Sequence, residues 1–65
     1  MDIFSVIKER RDLLGVTQQE LSEISGISLK TIIQIENKKA NPSFNTLSKI
    51  VDVLGMEITL RIKTK

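Results

Sequence analysis

The chain has 65 residues, 40% of them hydrophobic, with ten basic and eight acidic side chains for a net charge of +2, and it is expected to form one small domain. It has no cysteine or histidine, which removes disulfides, thiolate chemistry and the usual zinc ligands. No apolar run approaches the roughly 20 residues of a membrane helix, and MDIFSVIKERR lacks the charge order of a signal peptide, so a cytoplasmic protein with no membrane association is expected.

Residues 2–14 read as a first helix, with Asp2 as N-cap and Ile3, Ile7 and Leu14 marking the apolar side, Phe4 beside them, and KERRD forming a charged face. Gly15 ends it. Thr17 and Glu20 then have the spacing of a capping box, flanked by Val16 and Leu21 at the positions of a hydrophobic staple. This predicts a second helix over residues 18–25, with Leu21 and Ile24 sharing a face. Gly26 can take the left-handed conformation that stops a helix. Ser28 repeats the start signal, with Ile27 and Ile32 at the staple positions, and predicts a third helix over residues 29–36 buried through Ile32 and Ile35. Two short capped helices around a glycine turn have the form of a helix-turn-helix, whose second helix would be the recognition helix.

The segment from Asn37 to Pro42 is polar and breaks the helical pattern. A last helix over residues 44–54 follows, with Leu47, Ile50, Val51 and Leu54 spaced for burial. Ser43 is the favoured cap, and Asn41 with Pro42 at the first helical position is the alternative. Gly55 closes the helix. Over residues 56–63 the period changes: Met56, Ile58, Leu60 and Ile62 alternate with Glu57, Thr59, Arg61 and Lys63, the pattern of a half-buried strand. No other segment offers this strand a partner. Pairing across a two-fold axis with a second copy is therefore expected, and a segment that packs singly on the helices or is frayed is the alternative.

The charge is distributed unevenly. From Lys38 onward the basic residues are Lys38, Lys39, Lys49, Arg61, Lys63 and Lys65, against Asp52 and Glu57, an asymmetry that suits an anionic partner. Catalysis is not expected, because the chain lacks His, Cys and Tyr, and its hydroxyl residues occupy caps. No cofactor or metal is implied.

The stretches LGVTQQELSEISGIS, IIQIEN and NPS…TLSKIVDVLG resemble the XRE/Cro/phage-repressor family of helix-turn-helix transcription factors over residues 5–55. The first helix, the capped pair and the terminal strand are most similar to small HipB-like antitoxin regulators. The resemblance implies an all-α, lambda-repressor-like domain of about four helices plus the C-terminal strand. It would bind a palindromic double-stranded DNA operator as a homodimer and repress transcription, with a HipA-like kinase toxin as partner; a stand-alone phage-type or metabolic regulator without a toxin, or a protein-interaction module using the C-terminal strand, is the alternative.

By matching positions, the resemblance implies that Gln18 grips a phosphate and that Leu29, Lys30, Ile33 and Gln34 face base edges. Asn37 and Lys38 would contact phosphate, joined by Lys39. Gln34 suits bidentate bonding to adenine, and Leu29 and Ile33 suit thymine methyl groups, although Ile33 equally suits the core. Arg11 and Glu36 match a structural pair that ties the first helix to the recognition helix. Lys38 stands where the family often has glycine. Either it or Asn37 must take the helix-ending conformation, and asparagine tolerates it better.

Overall fold

Four side chains at four helix starts fix where the backbone begins to coil. In the computed structural model, which describes residues 2–64, Thr17 accepts the Glu20 N–H and Glu20 returns a carboxylate to the Thr17 N–H, completing the capping box. Ser28 accepts from the Thr31 N–H, and Ser43 from the Thr46 N–H. Asp2 does the same at the chain's start, accepting the Ser5 N–H at 2.9 Å. The helices that follow are α1 (Ile3–Leu14), α2 (Gln18–Ser25), α3 (Leu29–Glu36) and α4 (Phe44–Val53). Of the two caps considered for the last helix, Ser43 is the one used.

The main helix contacts are α2 with α3, α2 with α4, and α1 with α3, so α2 and α3 together form the centre. They enclose Ile7, Leu21, Ile32, Ile35, Ile50, Val51 and Leu54, all buried. Phe4, Val16, Ile27 and Leu47 pack partly against this core, which places both staple residues, Val16 and Ile27, where they close its edges.

Three expected core positions are not in the core. Ile24 is 66% exposed. The covered stripe of α2 is Gln18, Leu21, Ser22 and Ser25, which follows the i+4 direction from Leu21 and leaves Ile24, at i+3, outside. The two serines on this stripe are small, and both bond the connecting turn: Ser22 Oγ donates to the Ile27 carbonyl at 2.6 Å, and the Ile27 N–H donates to Ser25 Oγ. Ile3 and Leu14 are 38% and 46% exposed. They lie on the stripe of Ile7 but at the two ends of α1.

The end of α3 also differs from expectation. Lys38, not Asn37, takes the left-handed conformation, with φ 62° against −88°. The Lys39 N–H donates to the Gln34 carbonyl and the Lys38 N–H to that of Ile35. This is the Schellman pair, which puts the left-handed residue one place past the cap. Geometry here overrides residue preference, because moving the left-handed residue to Asn37 would break both bonds.

The expected strand over residues 56–63 is not formed. Among the described residues there is no β-ladder, and residues 56–64 run on as irregular chain. A ladder needs a second extended segment, and the four helices leave none within the chain. Met56 and Ile58 instead dock on the helical core as side chains. Leu60 and Ile62 are 95% and 93% exposed.

Two predictions follow from this packing. Leu21→Ala, at a fully buried site on a helix that packs against two others, is expected to cost about 2–5 kcal/mol in urea unfolding, a large share of the stability available to a domain this small. Acid should also weaken the fold through its caps. The Ser5 N–H and the Lys38 ammonium hold the Asp2 carboxyl at about 2, below its ordinary 3.8, and bonds to Thr17 lower that of Glu20. Depressed folded-state values mean that this contribution is complete above the ordinary carboxylate range and is lost as pH falls from about 4 towards 2. Urea midpoints should therefore drop across that window, and drop less in Asp2→Asn.

Candidate nucleic-acid interface

The site is built on an ion pair inside the domain. Arg11 of α1 and Glu36, the last residue of α3, are only 9% and 8% exposed. Arg11 Nε donates to Glu36 Oε2 at 2.7 Å and its Nη2 to Oε1 at 2.9 Å, a two-pronged contact. Arg11 Nη1 donates to the Val16 carbonyl at 2.9 Å and lies 3.5 Å from Asp12 Oδ1. Bonding to Glu36 raises the Arg11 pKa further above its already high ordinary value, so the guanidinium stays charged at every working pH. Among the described residues no buried side-chain nitrogen or oxygen lacks a partner.

Gln18 joins this pair. Its amide Nε2 donates to Glu36 Oε1 at 3.0 Å, and the residue is half-buried at the first turn of α2. One amide proton and the amide carbonyl are left for an outside partner. The sequence offers no signal for this contact, which links two helices through a shared carboxylate.

Helix α3 is covered nearly all round. Of its eight residues only Lys30 and Gln34 are exposed, while Leu29 and Ile33 are half-buried beside them. These four occupy i, i+1, i+4 and i+5, which is one outward face of a helix. Ile32, Ile35 and Glu36 take the inward face. Asn37, Lys38 and Lys39 are exposed just beyond the helix, so the structure brings the seven α3-side candidates into one continuous strip. Lys38 differs from its neighbours in having an anionic contact already, since its Nζ lies 3.0 Å from Asp2 Oδ2.

The strip presents hydrogen-bond donors, two aliphatic side chains and three ammonium groups, a set able to meet base edges and phosphates. Among the described residues no group of His, Cys, Asp or Glu could hold a metal ion, and no helix is long and apolar enough to cross a membrane.

A helix-turn-helix family model matches residues 7–60, spanning the core, the turn and the strip. The chain belongs to the helix-turn-helix family. Its relatives within that family include an uncharacterized HTH-type transcriptional regulator of Methanothermobacter thermautotrophicus, 40% identical over 82% of this chain and 77% of that protein. One from Haemophilus influenzae, with the same description, is 35% identical over 91% of this chain and 66% of its own length. The HTH-type transcriptional regulator PuuR of Escherichia coli is 32% identical over 82% of this chain. Some helix-turn-helix relatives are much longer: the chain spans 29% of PuuR and 17% of a putative HTH-type transcriptional regulatory protein of Methanocaldococcus jannaschii.

The buried pair gives this family member a stability test. Glu36→Ala leaves Arg11 charged and without its main partner inside the domain, at an expected cost of about 3 kcal/mol. Arg11→Met with Glu36→Leu should recover most of that loss in urea unfolding, because an apolar pair leaves no unmatched charge.

Proposed function

We propose that the protein is a sequence-specific, double-stranded DNA-binding repressor that acts as a homodimer on a palindromic operator. The observation that carries this reading is the two-sided division of α3: its inward face is consumed by the core and the Arg11–Glu36 pair, and Lys30 and Gln34 are its only exposed residues. In this reading Leu29, Lys30, Ile33 and Gln34 meet base edges in the major groove. Gln18, Asn37, Lys38 and Lys39 position the domain on phosphates. Gln18 would contribute its second amide proton while Glu36 holds the first.

Two copies would place their α3 helices in successive major grooves, about 34 Å apart. The exposed Leu60 and Ile62 support a dimer through the tail, because two tails side by side could satisfy each other's backbone groups and cover these four side chains. The likeness to HipB-like antitoxins extends the proposal to autoregulation of a toxin–antitoxin operon with a HipA-like kinase as partner. Co-expression with the neighbouring gene product, followed by affinity capture, tests that extension; recovery of this protein alone counts against it.

Selection from random DNA is expected to enrich a two-fold symmetric motif, and a pool that stays random would defeat the specific-reader proposal. Gln34→Ala should cost about 1–3 kcal/mol and relax preference at one position of each half-site, whereas Lys39→Ala should weaken all duplexes alike. Light scattering on a chain lacking residues 56–65 should report a monomer. A truncated form that remains dimeric would place the interface elsewhere, such as on α4.

A further inference from the structure

The geometry points to Asp2 as an internal substitute for a DNA phosphate: its carboxylate occupies Lys38 in the free protein and so removes that lysine's net contribution to salt-dependent DNA affinity. This rests on the DNA-binding reading above and adds a residue to it. Asp2 is far in sequence from the recognition helix, and the capping role of its carboxylate gives no sign of a part in DNA binding.

Both partners are held in place. The Asp2 carboxylate accepts the Ser5 N–H at 2.9 Å and the Ser5 hydroxyl at 3.2 Å, as the cap of α1. Lys38 is fixed at its backbone by the left-handed turn and the two bonds that end α3. Its ammonium meets Asp2 Oδ2 at 3.0 Å. Lys30 and Lys39 are exposed on the same strip, and among the described residues neither has a carboxylate within ion-pair distance. Of the three ammonium groups around the recognition helix, one is therefore already paired with a carboxylate.

The consequence follows from counterion release. A free lysine that takes a phosphate displaces a condensed cation from the DNA, adding about 0.9 to the slope of log affinity against log salt. Lys38 must first leave Asp2. The bared carboxylate then stands as an uncompensated negative charge beside the DNA phosphates, and that repulsion offsets the gain. Asp2 thereby lowers affinity for every duplex alike and leaves Lys39 to carry the salt dependence at this end of the strip.

Asp2→Asn tests this, because asparagine caps a helix as well as aspartate while removing the charge; Asp2→Ser serves as a second capping variant. Binding to a short mixed-sequence duplex is measured across a salt series, with helicity checked by circular dichroism. Both variants should bind about two- to fivefold more tightly at low salt, with a slope steeper by about one. The gain should vanish when Lys38→Ala is added, and Lys38→Ala alone should change the wild-type slope far less than Lys39→Ala does. A slope unchanged in both capping variants overturns the inference, as does a gain that persists without Lys38. If the wild-type chain shows no salt-dependent binding to any duplex, the DNA-binding reading fails and the inference with it. That outcome is distinct from normal wild-type binding with unresponsive variants.

Discussion

The Arg11–Glu36 pair is the constraint on which the other parts depend. It joins the end of α3 to α1 inside the domain, reaches the Val16 carbonyl between α1 and α2, and engages Gln18 on α2. Three elements are thereby oriented by one carboxylate and one guanidinium. A hydrophobic contact would hold these helices together without fixing their rotation, whereas two parallel hydrogen bonds from a planar fork admit one arrangement. The rotation of α3 decides which of its side chains point outward, so the charged pair inside the domain governs the composition of its surface strip.

The pair works with a small core. Seven buried aliphatic residues are few for a domain that buries only about 60% of the surface its unfolded chain exposes. Local devices make up part of the difference: a side-chain cap begins each of the four helices, and the serines of α2 bond the turn that follows it. Such interactions each contribute about 1 kcal/mol. They also act within a few residues, so they specify helix boundaries before distant parts of the chain meet.

How far the sequence revealed this structure depends on the range of each interaction. The four helices and the Thr17, Ser28 and Ser43 caps were legible because cap and capped residue lie three positions apart. The phase of α2 was not. Two turns of helix give too few apolar positions to separate the i+3 direction from i+4, so Ile24 looked equivalent to the serine stripe that is covered instead. Lys38 was misread because asparagine's tolerance for the left-handed region was weighed without the two bonds that select the position. Alternation in Met56–Ile62 suggested one shared face but carried no information about a pairing partner, and without one only Met56 and Ile58 reach the core. The Arg11–Glu36 pair came from family likeness, since no spacing rule links those positions. The contacts of Glu36 with Gln18 and of Asp2 with Lys38 are tertiary and left no mark in the sequence.

The way α3 is covered bears on how such a protein can change over time. Lys30 and Gln34 make no core contact, and the side chains that set the helix's rotation lie on its opposite side. Replacement of either outward residue leaves the caps, the charged pair and the buried aliphatics as they are. On the proposed function, the choice of DNA sequence would in this sense be uncoupled from the ability to fold, and a lineage could explore new operators through these two positions with little loss of stability. Leu29 and Ile33 are less free. Each is half-buried, so on the proposed function a change there would alter packing and recognition together, and they mark the boundary between what this domain can vary and what it must keep.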